Sequence, residues 1–138
     1  MKAAKFATGL ALGLAVTTTM VTTPASAAPR SAAADRVVLT NADSGHSVAR
    51  SVGDDTEIRL TAYRADGLTY TWSMPAAGDS RVLGRTVGGT APTGDAYAVL
   101  HAERPGTSTV SALRRCRPDP GRLCPMVVVP WKATIEVS

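Results

Sequence analysis

The sequence predicts an all-β protein, an immunoglobulin-like antiparallel β-sandwich of about seven to eight strands. Apolar and polar residues alternate with period two in one run after another beyond residue 36. Clusters of Gly, Asp, Asn and Pro interrupt those runs at short intervals, the rhythm of a sandwich or barrel. Trp72 falls inside one such run, where an immunoglobulin-like core takes a large aromatic side chain.

Residues 1–27 read as a secretory signal peptide. Lys2 and Lys5 give a basic start, an apolar run extends from Phe6 to Val16, and Ala25-Ser26-Ala27 offers a small-residue cleavage site near Ala27. Gly and Thr keep the run short of the roughly 20 continuous apolar residues of a membrane-spanning helix. Residues 28–35, "APRSAAAD", are small, polar and without pattern, and are expected to form a flexible lead.

The sandwich is expected over 36–138. "RVVLT" (36–40) precedes the turn-rich "NADSG", and "HSVARSV" (46–52) ends at "GDD". "TEIRLTAY" (56–63) places Ile58 and Leu60 on one face and Glu57, Arg59 and Thr61 on the other. "LTYTWSM" (68–74) groups Leu68, Tyr70, Trp72 and Met74 opposite Thr69, Thr71 and Ser73. "AYAVLHAE" (96–103) and "TSTVSALRR" (107–115) flank a Pro-Gly turn, a hairpin connection. "PMVVV" and "WKATIEV" read as the closing strand runs, with Pro130 at an edge or bulge because it cannot donate to a ladder. A helix has room only at 76–82, as a single turn.

The exported chain, roughly 110 residues, is long enough for one domain with one core. The formal charge of +4 falls by two, to +2, when Lys2 and Lys5 are removed. So small an excess argues against nucleic acid, whose binding needs many cationic contacts on one face. Two cysteines in an exported chain most simply form one disulfide. Cys116 and Cys124 would then close "CRPDPGRLC", a staple contributing roughly 2–3 kcal/mol whose main effect is a rigid loop.

Catalytic chemistry finds few candidates. Neither His46 nor His101 sits in a nucleophile or metal-ligand motif, so no metal or cofactor is expected. Asp54-Asp55 follow Gly53 and read as turn residues. "VGGT" (87–90) lacks the Lys of a phosphate cradle, and oxidation removes both thiols as nucleophiles. The sequence therefore points to a binding protein and not an enzyme. Its candidate surface is three loops: "YRADGL" (63–68), "LGRTVGGTAPTG" (83–94) and the stapled "CRPDPGRLC" (116–124).

In its order of motifs the sequence resembles the chagasin-like inhibitors of papain-type cysteine peptidases, from about Val37 to Val137. "GDDTEIRL" is followed by a turn and a strand ending at Trp72, then "VLGRTVGGT", "AYAVLHAERPGTSTVSALRR", Arg117-Pro118 and "KATIEV". The resemblance implies an immunoglobulin-like sandwich that presents three loops to a protease, one entering the active-site cleft and two flanking it. Of the entering motif this chain keeps Gly67, with Trp72 downstream, and has Asp66 before the glycine. Gly88 and Gly89, with Leu83 and Gly84, match the second motif. Arg117 and Pro118 match the third, with Asp119 where the family has an aromatic. The implied partner is a peptidase bound through Asp66, Gly67, Gly88, Gly89, Arg117 and Pro118. The fold alone also admits a second reading, a secreted module that binds a protein or cell-wall ligand and leaves peptidases untouched.

Overall fold

A computed structural model describes residues 35–138, together with Gly13 and Ala15. Apart from those two, the signal-peptide segment 1–27 lies outside the described residues, as does the lead up to residue 34. Contacts divide the chain into Met1–Arg30 and Ser31–Ser138, and the fold is that of the second unit. No described helix is long and apolar enough to cross a membrane.

The described residues form eleven strands: β1 (Arg36–Leu39), β2 (Ser47–Arg50), β3 (Asp55–Leu60), β4 (Tyr63–Ala65), β5 (Leu68–Trp72), β6 (Ala76–Ala77), β7 (Leu83–Thr90), β8 (Ala96–Ala102), β9 (Gly106–Ala112), β10 (Arg114–Pro118) and β11 (Trp131–Val137). One sheet has the order β1-β3-β8-β7, a second β2-β11-β9-β6, and a three-stranded sheet β10-β5-β4 extends from them. With β10 continuing β9 and pairing with β5, this is the ABED and GFC arrangement of an immunoglobulin sandwich. Eleven segments arise from about eight strand paths because several paths are interrupted, at Thr61-Ala62 and at Leu113 among other places.

Two pairings are parallel, not antiparallel as the sequence suggested: β1 with β3, and β2 with β11. The cause is the short 3₁₀ turn Asn41–Asp43, which carries the first strand path from one sheet to the other without reversing it. Residues 76–82, where the sequence left room for a single helical turn, hold β6 followed by a turn in which the Asp79 carbonyl accepts from the Val82 and Leu83 amides. "PMVVV" is not a strand. It lies outside every ladder, between Pro125 and Pro130, neither of which has an N–H to donate.

Alternation along the strands supplies the core. β3 buries Thr56, Ile58 and Leu60; β8 buries Ala96, Ala98, Leu100 and Ala102; β11 buries Trp131, Ala133, Ile135 and Val137. Both tryptophans can be buried because each indole N–H has a carbonyl partner. Trp72 Nε1 donates to Thr61 O at 3.1 Å and Trp131 Nε1 to Thr40 O at 3.0 Å.

One end of the sandwich is closed by charge. The buried Arg50 guanidinium donates to the carbonyls of Asp35 (2.6 Å) and Asp55 (3.0 Å) and lies beside the Asp35 and Asp54 carboxylates. Asp35, the last residue of the expected lead, is thus tied to the domain. His101 Nδ1 stands 2.8 Å from Asp55 Oδ1, the two residues being in register across β3 and β8.

Candidate protein-binding surface

The opposite end is built from hairpin tips. Asp66 and Gly67 both have positive φ, +54° and +75°, while Ala65 and Leu68 pair across the ladder. This is a two-residue hairpin turn whose backbone requires left-handed residues, the reason Asp-Gly suits it. The expected 63–68 loop is therefore a narrow tip on a β-ribbon, and all three residues of β4 are exposed.

β10 runs antiparallel to β5, pairing Cys116 with Tyr70, Arg117 with Thr69 and Pro118 with Leu68. Pro118 is tolerated because β10 is the edge of its sheet. This register delivers the start of the stapled loop directly to the hairpin tip. The Asp119 amide donates to Gly67 O at 3.0 Å, and the Arg64 guanidinium pairs with the Asp119 carboxylate. A Cβ on Gly67 would lie 3.1 Å from Arg122 Cγ and Nε, so the Arg122 side chain covers the tip. Cys116 and Cys124 are bonded, with Cα atoms 5.9 Å apart.

The three-stranded sheet has two unlike faces. On one, Leu68 and Tyr70 are buried, Tyr63 stacks on Tyr70 at 4.9 Å, and Arg114 lies 4.4 Å over the Tyr70 ring while donating to the Tyr63 hydroxyl at 2.8 Å. On the other, Thr69, Thr71, Arg115 and Arg117 face the tip between β7 and β8, enclosing a cleft of about 440 Å³. That tip is held against β5: Gly94 O accepts from the Trp72 amide at 2.9 Å, and a Cβ on Gly94 would collide with Thr71.

Asp66, Gly67, Arg117, Pro118 and the disulfide thus gather at one end. Gly88 and Gly89 do not lie in a loop. They are strand residues of β7, opposite Ala98 and Tyr97, and the true tip is 91–95. Glycine is used there for close approach, not for a turn. A Cβ on Gly88 would lie 3.0 Å from Met74 Sδ and from Arg85 Cδ, and 3.2 Å from the Tyr97 carbonyl. Through Met74, Gly88 backs the cleft wall; Gly89 lies against the Tyr97 ring.

The feature the sequence reading missed is an exposed apolar run that begins at the end of the stapled loop and continues past Cys124. Leu123 is 90% exposed, Met126 100%, and Val127, Val128 and Val129 are each more than half exposed. The signal was present: consecutive apolar residues without alternation, bracketed by two prolines, do not describe a half-buried strand.

His101 and Asp55 lie at the charged end and line neither this cleft nor the second one, of about 410 Å³, beside Tyr63 and Val129. The hydrogen bond from His101, helped by Arg36, holds the Asp55 carboxyl below the usual carboxylate range. No group of three or more metal-ligating side chains occurs among the described residues.

No protein-family model matches the chain, and no curated protein matches its sequence. Solved structures do match. A cysteine protease inhibitor from Entamoeba histolytica superposes with a TM-score of 0.54 at 13% identity, over 75% of this chain and 96% of that one. An inclusion body protein from Burkholderia cenocepacia matches with a TM-score of 0.46 at 12% identity, over 65% and 59% of the two chains. PbICP-C, solved in complex with falcipain-2, matches with a TM-score of 0.44 at 12% identity, over 75% and 99%. The likeness is one of scaffold: this chain has the fold of the Entamoeba cysteine protease inhibitor.

Proposed function

We propose that the chain is an exported, chagasin-like inhibitor-type protein that binds a papain-type cysteine peptidase through the hairpin-tip end of its sandwich. It acts by binding, not by turnover. The observation that carries this reading is the bare Leu123 of the disulfide-closed loop, whose Asp119 is bonded to the Asp66–Gly67 tip, followed past Cys124 by the bare side chains of Met126 to Val129. Exposed apolar groups gathered in this way mark interaction sites. Covering them releases about 25 cal/mol per Å² of apolar surface. The staple and the contacts of Asp119 with Gly67 and Arg64 order the loop before it meets a partner, which lowers the cost of binding. Leu123 and Met126 supply the apolar contact that Asp119 cannot offer at the position of the family's aromatic. Export accords with the signal-like 1–27 segment and with a disulfide.

The test is turnover by several papain-type peptidases as the protein is titrated in. Stoichiometric loss of activity is the expected result, and undiminished turnover across the set overturns it. One observation favours the second reading, a binding module with another protein target. Asp66 puts a carboxylate at the tip, and a carboxylate entering a cleft beside a catalytic thiolate is repelled and desolvated. If Asp66→Asn restores inhibition that the natural protein lacks, the target is not a thiol peptidase.

A further inference from the structure

The cleft between the three-stranded sheet and the β7–β8 tip holds two cations with nothing to neutralise them. All eleven Asp and Glu residues lie from Asp35 onward, within the described part of the chain. None of them lines this cleft, and among the described residues neither Arg115 nor Arg117 forms an ion pair. Their neighbours on the same sheet are engaged: Arg64 with Asp119, Arg114 with Tyr63 and Tyr70. The walls add hydroxyls from Thr69, Thr71, Thr90 and Thr93, which can donate to an anion or to a peptide carbonyl.

Arg115 and Arg117 are alternate residues of one strand and share its face. Their Cα atoms are therefore about 7 Å apart along β10. An extended peptide repeats its side chains on one face at the same spacing. We infer that this cleft is a binding site for an acidic peptide segment in extended conformation, whose carboxylates at alternate positions meet Arg115 and Arg117. Guanidinium–carboxylate pairs give direction as well as charge. The only aromatic ring lining the cleft is Trp72, and it is buried, so a sugar ring would find no exposed platform to stack upon. The site does not depend on the partner at the hairpin tips being a peptidase.

The test is fluorescence anisotropy with a labelled nine-residue peptide carrying two Asp residues at alternate positions in a Gly/Ser background. The comparison probes are the same composition with adjacent Asp, the Asn counterpart, and polygalacturonate. The alternate peptide is expected to bind about tenfold tighter than the adjacent one, and binding should fall at least about tenfold in R115Q/R117Q. R104Q, at the opposite end, should bind as the natural protein does. Both variants should keep the thermal midpoint, since all three side chains are exposed. Equal binding of the two Asp peptides overturns the inference, as does binding unchanged in the double variant. Saturation by polygalacturonate at lower concentration than the peptide overturns it in favour of an anionic polysaccharide.

Discussion

At one end of the sandwich Arg50 is buried beneath two backbone carbonyls and flanked by the carboxylates of Asp35 and Asp54. At the other, Arg115 and Arg117 stand in a cleft lined by no carboxylate, and the segment that follows them leaves Leu123 and Met126 to Val129 bare. The same strands run between both ends: β3 leaves Asp55 at the first and Leu60 toward the second. Where charge is paired and enclosed it contributes to folding. Where charge and apolar surface are left unmatched, folding gains nothing from them, and they are available to a partner.

The sharpest way to break that contrast is at the closed end. Arg50→Ala removes two charge-assisted hydrogen bonds from a buried site and should cost about 3 kcal/mol in chemical denaturation. A loss below about 1 kcal/mol would mean that the closed end is no more structural than the open one. Next is the staple. Replacing Cys116 and Cys124 by Ser should cost about 2 kcal/mol, because the closed loop is short, and should also weaken partner binding by freeing the loop between them.

Acid gives a smaller effect with a definite sign. The Asp55 carboxyl is held low by His101 and then Arg36, and the Asp54 carboxyl by the backbone amides of Ser51 and Asp35. A carboxylate with a depressed folded-state pKa stabilises the fold above its unfolded value, near 3.9, and loses that contribution as pH falls through the folded value. Stability should therefore decline as pH drops below about 4, and Asp55→Asn should flatten that part of the profile. A profile unchanged by the substitution would show that the His101 contact carries no linkage.

Much of the body is legible in the sequence because period-two alternation is strict where one strand face is buried. Ile58 and Leu60, and Leu68, Tyr70 and Trp72, fall on the faces their spacing assigns. The open end is less legible because two signals point the wrong way there and a third contact is long-range. Gly88 and Gly89 resemble loop glycines, yet they are strand residues that let Met74 and the Tyr97 backbone approach. Val127 to Val129 have strand propensity but sit between prolines with no ladder to join. Asp66-Gly67 names a two-residue turn, while the register that sets Asp119 against Gly67 is a long-range pairing that local pattern does not carry.

The smallest expected change in stability carries the most weight for recognition. Leu123→Ser with Met126→Ser alters two side chains that are almost wholly in solvent, so the midpoint of denaturation should move by no more than about 0.5 kcal/mol. Binding to the partner should fall by at least about tenfold, since burial of these groups is what the contact would gain. A double variant that loses stability instead would show that the run packs against the body in solution. In that case its exposure is not a recognition surface, and the two ends of the sandwich would differ only in how they are closed.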